Sequence, residues 1–254
     1  MTAFELTTGS PQTHCGSILI GTGELHVWRV RLTSDACGPE SILAVDERRR
    51  ADRFRYQIDR GRFVAARAAL RTILARYVGL APERLRFCYP CRCGNWRCSP
   101  AHRKPALVTE SGGEFIRFNL SHSDGLAAIV VCGGCEVGID VERMDGAMAA
   151  QLCANDFPST EQVGQTGPIP ADLKSAEFYR YWTRREAMTK ALGLGLAMER
   201  ALPPALDGES GPALGEWWVR DFEPAPGYVG ALAVQDPLQK TQVRFIEFSR
   251  NGRS

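Results

Sequence analysis

Hydrophobic and polar positions alternate in an early segment of the chain. Residues 25–32 place Trp28 and Val30 on one side of an extended backbone and Arg29 and Arg31 on the other. A period of two residues is typical of a strand, because successive side chains of a strand point to opposite faces. We therefore predict a first strand over residues 25–32.

Two longer segments have the spacing of helices. From Asp46 onward, apolar residues recur every three or four positions up to Gly79, which we expect to end the helix. This pattern predicts a long amphipathic helix with a basic polar side. A second helix is predicted from Ala171 to Leu192, closed by Gly193.

Short apolar runs separated by turn residues predict further strands. Turns at Ser123-Asp124-Gly125 and at Gly133-Gly134 indicate two hairpin-like connections. The predicted strands cover residues 115–118, 126–132, 136–141, 217–222, 228–234 and 243–248, and short helices are expected at 147–153 and near 159–161. The order strand, helix, strands repeats loosely as strands, helix, strands, without a convincing internal sequence repeat.

Length and composition narrow the class of protein. A chain of 254 residues can build one large domain or two smaller ones with buried cores. Its longest apolar run, residues 126–132, is far shorter than the roughly 20 residues of a membrane-spanning helix, and we expect a soluble cytoplasmic protein. The nine cysteines are an odd number for a disulfide framework, which favours reduced thiols.

Positive charge is concentrated in one part of the chain. Between Asp46 and Lys104 there are 16 Lys or Arg residues against 5 acidic residues, whereas the remainder has 15 basic residues against 24 acidic ones. Such runs are usually solvated helix faces. Arginine greatly outnumbers lysine here, however, and its planar guanidinium suits phosphate groups. The segment therefore also indicates a site for anions.

Two carboxylates stand two positions apart in the segment Val137-Gly138-Ile139-Asp140-Val141-Glu142. On a strand, Asp140 and Glu142 project from the same face. Two repelling carboxylates are tolerated when a divalent cation lies between them, and oxygen ligands favour magnesium. The alternative is a strand end that reaches solvent.

Two other segments carry candidate chemistry. Glu186 and Lys190 lie four apart on the second predicted helix, which places them on one face; the alternative is an exposed ion pair. Ser121 and His122, next to the turn at Asp124, can present a hydroxyl and an imidazole to a phosphate, or the turn can be purely structural. A Ser-His-Asp hydrolase site is disfavoured, because neighbours in sequence cannot align as a catalytic triad.

These motifs, taken together and in this order, resemble those of a known enzyme family. Residues 118–123, FNLSHS, are followed by residues 137–142, VGIDVE, and then by residues 182–190, WTRREAMTK. This arrangement is similar to that of the 4′-phosphopantetheinyl transferases, of the type that activates surfactin synthetase. The resemblance extends upstream to residues 46–71 and to Arg103-Lys104-Pro105, where the family usually has Gly-Lys-Pro.

The resemblance implies a fold and a reaction. The expected fold is of the α+β class, with two similar α/β lobes, residues 1–118 and 119–254, related by pseudo-twofold symmetry and an active site at their interface. The expected enzyme is a holo-[acyl-carrier-protein] synthase that moves 4′-phosphopantetheine from coenzyme A to a serine of an apo acyl or peptidyl carrier protein and releases 3′,5′-ADP. A monomer with a role in secondary metabolite biosynthesis is expected, without nucleic-acid or membrane partners.

The resemblance also assigns site residues. Asp140, Glu142 and Glu186 would hold Mg²⁺ on the coenzyme A pyrophosphate, and Lys190 would contact the phosphate and protonate the departing ADP. We expect Glu186 or Glu142 to act as the general base on the carrier serine. Nucleotide and phosphate contacts would come from Arg50, Arg62, Lys104, Ser121 and His122.

A cysteine cluster supports a rival hypothesis. Cys88, Cys91, Cys93 and Cys98, followed by His102, have the ligand types of a zinc knuckle but not its usual paired spacing. With the arginine-rich segment, a zinc site would give a basic module that binds nucleic acid. That alternative does not explain Asp140, Glu142 and Glu186, because carboxylates oppose binding to a phosphate backbone.

Overall fold

The computed structural model describes residues 6–8, 13–14, 17–33, 39–89, 104–108, 115–145, 171–193, 211–214, 217–235 and 241–248. The helices are α1 (Val45–Ala51), α2 (Gln57–Val78) and α3 (Ala171–Leu192). The strands of the first half are β1 (Leu6–Thr8), β2 (Thr13–His14), β3 (Ser17–Ile18), β4 (Glu24–Arg31), β5 (Phe87–Cys88) and β6 (Ala106–Leu107). Those that follow are β7 (Ile116–Ser123), β8 (Leu126–Gly133), β9 (Val137–Arg143), β10 (Gly211–Leu214), β11 (Trp217–Phe222), β12 (Tyr228–Gln235) and β13 (Gln242–Glu247).

A five-stranded sheet has the order β1-β13-β4-β8-β7. Strands β4, β8 and β7 pair antiparallel, and β7 joins β8 through a turn at Asp124, whose φ of 47° is left-handed. Strand β13, which lies far from β1 and β4 in the sequence, pairs parallel with both of them. The sheet therefore joins strands that are distant in sequence.

A second sheet has the order β10-β11-β12-β9, with antiparallel pairing throughout. Helix α3 packs on one of its faces through Ala187, Met188 and Ala191. At Gly138 the helix lies so close that a Cβ would stand 2.0 Å from the carbonyl oxygen of Ala187. Only glycine allows α3 to lie this near to β9.

The two sheets pack face to face between the helices. Leu25 and Val130 of the first sheet share a buried cluster with Ile139 and Leu232 of the second. The outer face of the first sheet packs against α2, where Leu70 is fully buried. The order of layers is therefore α2, the five-stranded sheet, the four-stranded sheet and α3. Strand β8 is buried on both faces, which explains its continuous apolar sequence.

Several predicted elements are confirmed. The second helix ends at Leu192, and Gly193 follows in the left-handed region with φ 69°. The helix predicted from Asp46 is instead two helices, α1 and α2, and α2 ends at Gly79 with φ 65° as expected. The α+β class is confirmed. Cys88, Cys132 and Cys135 are reduced thiols.

Other predictions differ from the structure or lie outside it. The hairpin predicted at Gly133-Gly134 is wrong, because β9 pairs with β12 and not with β8. The short helices predicted at 147–153 and 159–161 lie outside the described residues. A division into lobes at residue 118 stays a prediction, and so does their pseudo-twofold relation. Within the described ranges, no helix combines the length and apolar character needed to span a membrane.

Candidate active site

Asp140 and Glu142 lie on the same face of β9, as their spacing predicts. The opposite face carries Ile139 and Val141, both fully buried between the sheets. Asp140 faces α3 and is only 2% exposed, whereas Glu142, nearer the strand end, is half-buried. A strand end whose acids simply reach solvent is therefore excluded for Asp140.

Polar side chains of β7 link the edges of the two sheets. Ser121 donates a hydrogen bond to Asp140 (Oγ to Oδ1, 2.7 Å), and Ser123 donates to Glu142 (Oγ to Oε2, 2.7 Å). The Asn119 side chain accepts a backbone N–H from β9 at 3.0 Å. These three residues alternate along β7, so one face of this edge strand bonds to β9 through side chains.

Lys190 of α3 completes a cluster drawn from three elements. Its ammonium donates to Asp140 Oδ1 at 2.5 Å and to Ser121 Oγ at 3.0 Å. Glu186 lies one helical turn earlier and is 8% exposed. Glu186 and Lys190 are thus not merely an exposed surface pair. The structure brings Ser121, Asp140 and Lys190 into direct contact.

The chemistry of the carboxylates fits a divalent cation. Asp140 Oδ2 is buried and has no hydrogen-bond partner among the described residues. Burial, and then the neighbouring Asp140 charge, raise the pKa of Glu142 above its ordinary value. Both observations show negative charge without enough compensation, which a hard cation bound by oxygen ligands would supply.

The three predicted metal ligands do not form a closed cluster. Within the described part of the chain, no three His, Cys, Asp or Glu side chains converge in a geometry that would hold a metal ion. Instead, the Lys190 ammonium donates a hydrogen bond to Oδ1 of Asp140. The assignment of Asp140, Glu142 and Glu186 to Mg²⁺ therefore remains a prediction.

Positive charges surround His122 at the end of β7. The residue is exposed on one side, yet partial burial lowers the pKa of its imidazole, and the charges of Lys190, Arg50 and Arg62 lower it further. The charge of Asp140 opposes the shift. Three of the predicted phosphate contacts, Lys190, Arg50 and Arg62, thus lie near a fourth, His122.

Arg62 is held by a residue that the sequence did not single out as functional. Its guanidinium pairs with Asp124 at 2.5 Å, and Arg143 pairs with the same carboxylate. Asp124 therefore links α2 to the end of β9. The sequence did contain a signal for Asp124, because this residue lies in the predicted Ser-Asp-Gly turn, two positions after His122.

Lys104 lies at the opposite end of β9. Its ammonium donates to Glu136 at 2.8 Å, to the Val137 carbonyl at 2.7 Å and to the Ala191 carbonyl at 3.4 Å. It lines a cleft next to the C-terminal end of α3. The structure thus gives Lys104 bonds to both β9 and α3, and its predicted phosphate contact remains untested.

Much of the arginine-rich segment is used inside the protein. Glu47 of α1 is 4% exposed and pairs with Arg67 and Arg71 of α2, both within 2.5 Å. Arg71, 1% exposed, also donates to two backbone carbonyls. Burial alone would raise the pKa of Glu47, but Arg67, the Ala44 amide and Arg71 outweigh it and hold the pKa below its usual value. These arginines fix α1, which carries Arg50, against α2.

The predicted zinc ligands fall largely outside the described residues. Cys91, Cys93, Cys98 and His102 all lie there. Cys88 is described; it is exposed, and its thiol contacts the Ala106 carbonyl at 3.7 Å. A zinc site is unsupported by these observations.

Comparison with known proteins gives a consistent result. A family model described as the 4′-phosphopantetheinyl transferase superfamily matches residues 136–214, a range that includes β9 and α3. The chain is 32% identical to the 4′-phosphopantetheinyl transferase HetI of Nostoc sp. over 220 residues, which cover 83% of this chain and 87% of that relative.

Two other relatives have similar names. A phosphopantetheinyl transferase of Thraustochytrium sp. is 29% identical over 188 residues, covering 69% of this chain and 61% of the relative. The 4′-phosphopantetheinyl transferase psf-1 of Bacillus pumilus is 28% identical over 212 residues, covering 81% and 84%. The matches extend well beyond the segment that carries the carboxylates.

Proposed function

The chain belongs to the 4′-phosphopantetheinyl transferases, enzymes that transfer phosphopantetheine to carrier proteins, and we propose that this one uses coenzyme A as donor. The acceptor is a serine of an apo acyl or peptidyl carrier protein, and 3′,5′-ADP is released. The observation that carries the proposal is the contact of Asp140 with Lys190 and Ser121, beside Glu142, where the two sheets meet. Two pseudo-symmetric lobes and the surfactin-synthetase-activating type belong to the same proposal.

Mg²⁺ is the cation proposed for the carboxylates. Asp140, Glu142 and Glu186 would hold it, and it would offset negative charge on the pyrophosphate of coenzyme A. The orphaned Oδ2 of Asp140 and the raised pKa of Glu142 support this assignment. Carboxylates whose negative charge is only partly neutralised by the protein are suited to bind Mg²⁺ together with coenzyme A.

The cations around His122 are proposed to bind the phosphates of coenzyme A. Arg50 is exposed, and Arg62 is only partly covered by its pair with Asp124. A neutral His122 can donate one hydrogen bond and accept another, which suits a contact to phosphate oxygen or ribose. Ser121 and Lys104 belong to the same proposed set, although both now bond to protein groups.

Proton transfer is assigned to residues that flank Asp140. A general base works best when its pKa lies near the working pH, and the raised pKa of Glu142 moves that carboxyl in this direction. Glu142 or Glu186 is proposed as the base for the carrier serine. Lys190, which donates to Asp140, is proposed to protonate the leaving 3′,5′-ADP.

The test is transfer to a panel of apo carrier proteins, read by mass spectrometry. With coenzyme A and saturating Mg²⁺, the wild type should add one phosphopantetheine to at least one carrier. Asp140→Asn should lose this activity, whereas Glu40→Gln, a change at a partly exposed residue far from Asp140 in the sequence, should retain it. Full turnover by Asp140→Asn would contradict the proposal.

A second arm addresses the rival nucleic-acid hypothesis. A gel shift with duplex and single-stranded DNA at physiological salt should show no complex. Arg67 and Arg71 are engaged with Glu47, which leaves a smaller free basic surface than the sequence indicates. A monomeric state and a cytoplasmic location stay predictions.

A further inference from the structure

The turn between β8 and β9 carries a pair of thiols separated by two glycines. Cys132 is the next-to-last residue of the buried strand β8, and Cys135 follows Gly133-Gly134. Neither cysteine forms a disulfide, and both side chains pack into the same buried apolar cluster between the sheets. Two cysteines three positions apart across a turn have the spacing found in redox-active dithiols.

The glycines fix the backbone that brings these sulfurs together. A Cβ at Gly133 would stand 2.2 Å from the Gly21 carbonyl oxygen, and Gly134 has a φ of 81°. Neither position tolerates another residue without strain. The conformation of the turn is therefore set independently of the cysteines.

Backbone hydrogen bonds hold the same turn from three sides. Gly23 donates to the Gly133 carbonyl at 3.0 Å, Gly134 donates to the Phe115 carbonyl at 2.7 Å, and the Glu136 carbonyl accepts from Gln235 at 2.9 Å. A disulfide distorted by its surroundings is strained and is easily reduced. Here the backbone bonds of the turn involve neither sulfur, and both cysteine side chains lie in the same cluster between the sheets, so the turn need not unfold for the disulfide to close.

The two thiols differ in access to solvent. Cys132 is fully buried, whereas Cys135 is partly exposed. The hydrogen bond to Cys135 and burial together raise the pKa of the Cys132 thiol. An oxidant in solution therefore reacts first at Cys135, and Cys132 is protected until that step has occurred.

We propose that Cys132 and Cys135 form a reversible disulfide, which makes the joint between the two sheets a site of thiol oxidation. The oxidant is a low-molecular-weight disulfide such as oxidised glutathione. Cys135 attacks one of its sulfurs and releases one thiol; Cys132 then attacks the Cys135 sulfur and releases the second. Two protein thiols become one disulfide, and the small disulfide is reduced to two thiols.

A metal site at these thiols is disfavoured. Within the described residues, no third His, Cys, Asp or Glu joins the pair in a geometry suited to a metal ion. Two sulfurs alone are fewer than the four ligands of a structural zinc site. Cys135 lies two residues before β9 begins and five before Asp140, and the dithiol is distinct from the proposed catalytic cluster.

The sequence allows a direct test by peptide mapping. Trypsin cleaves after Arg117 and Arg143, and residues 118–143 contain Cys132 and Cys135 as their only cysteines. The wild-type protein is equilibrated with mixtures of reduced and oxidised glutathione, unfolded in an alkylating reagent and digested. The expected product is peptide 118–143 without alkyl groups and about 2 Da lighter than the dithiol form.

Two controls make the result specific. Dithiothreitol should return the peptide to its doubly alkylated mass, and Cys135→Ser should leave Cys132 alkylated at every glutathione ratio. Double alkylation of the wild-type peptide throughout would overturn the proposal, and so would glutathione retained on Cys135. Oxidation to sulfinic acid in place of a disulfide would overturn it as well.

Discussion

The Lys190 ammonium lies 2.5 Å from Asp140 Oδ1, although 50 positions separate the two residues in the chain. Asp140 is almost fully buried, and the Lys190 side chain is 28% exposed. A buried carboxylate needs a partner, because an isolated charge in the interior is strongly destabilising. The same contact ties α3 to β9 and holds together the proposed catalytic residues.

Lys190→Met should lower the free energy of unfolding by roughly 2 kcal/mol, less than the usual cost of breaking a fully buried pair because Lys190 is partly exposed. Urea unfolding at pH 7 measures this change. Asp140→Asn combined with Lys190→Met should recover part of the loss, since neither charge then remains. A double variant as unstable as the sum of the single variants would argue against direct coupling.

Glu142→Gln should stabilise the metal-free protein. The folded-state pKa of Glu142 is raised, so its favourable contribution is present below about pH 4.5 and is lost as the pH rises through the folded pKa. At pH 7 the charged form is therefore destabilising, and an amide removes this cost while it still accepts the Ser123 bond.

Thermal unfolding with EDTA and with Mg²⁺ measures this effect. The midpoint for Glu142→Gln should exceed that of the wild type in EDTA, and Mg²⁺ should stabilise the wild type more than the variant. Phosphopantetheine transfer should be lost in the variant. Equal stabilisation of both proteins by Mg²⁺ would remove Glu142 from the metal set.

Glu47→Gln should cost about 3 kcal/mol of stability, because Arg71 would remain buried without its charged partner. Glu40→Gln is a matched control. Glu40 also pairs with an arginine, Arg60, but its side chain is 40% exposed, and exposed pairs contribute at most about 1 kcal/mol. Urea unfolding of both variants makes the comparison. Similar losses in the two would show that burial does not set the strength of the Glu47 pairs.

Gly138→Ala should lower both stability and transfer activity. The added Cβ would meet the Ala187 carbonyl at 2.0 Å and the Ala191 nitrogen at 2.5 Å, which forces α3 away from β9 and Lys190 away from Asp140. Gly21→Ala is the control, because its Cβ would come no nearer than 3.6 Å to another group. Calorimetry should show a lower unfolding temperature for Gly138→Ala than for Gly21→Ala, and the carrier assay should show a lower transfer rate.

The protein should lose stability as the pH falls below about 6.5. His26 is fully buried, and burial lowers the pKa of its imidazole even though Glu24 opposes the shift. Its nitrogens bond to Tyr77 at 2.6 Å and to Glu24 at 2.9 Å, a pattern satisfied by the neutral ring.

Below the unfolded-state pKa, the unfolded chain binds a proton that the folded His26 resists, so the free energy of unfolding decreases until the folded pKa is reached. Urea unfolding between pH 7.5 and 5 and NMR titration of the imidazole test this expectation. An imidazole of His26 that titrates above pH 6.5 would contradict it.

Sequence patterns over a few residues correctly predicted the features that depend only on local backbone geometry. The end of α3 at Gly193 and the common face of Asp140 and Glu142 both follow from backbone geometry over a few residues. The break between α1 and α2 was missed because apolar spacing continues across it while Ala51 and Phe63 pack together in one cluster.

Partners distant in sequence could not be predicted. Apolar strands such as β8 and β9 have the same composition whichever sheet they join, so the Gly133-Gly134 turn looked like a hairpin. The pairing of Glu47 with Arg71 and the bonds of Lys104 to β9 and α3 also depend on tertiary packing. Charge counting identified the arginines but not which of them are buried.

The position of β13 has a consequence for biosynthesis. This strand spans residues 242–247 and fills the space between β1 and β4, so β4 has an open edge until residues 242–247 have been synthesised. A nascent chain that has not yet reached β13 therefore exposes a strand edge that invites aggregation. A nonsense mutation shortly before residue 242 would leave the same edge of β4 unpaired, more than 200 residues earlier in the chain.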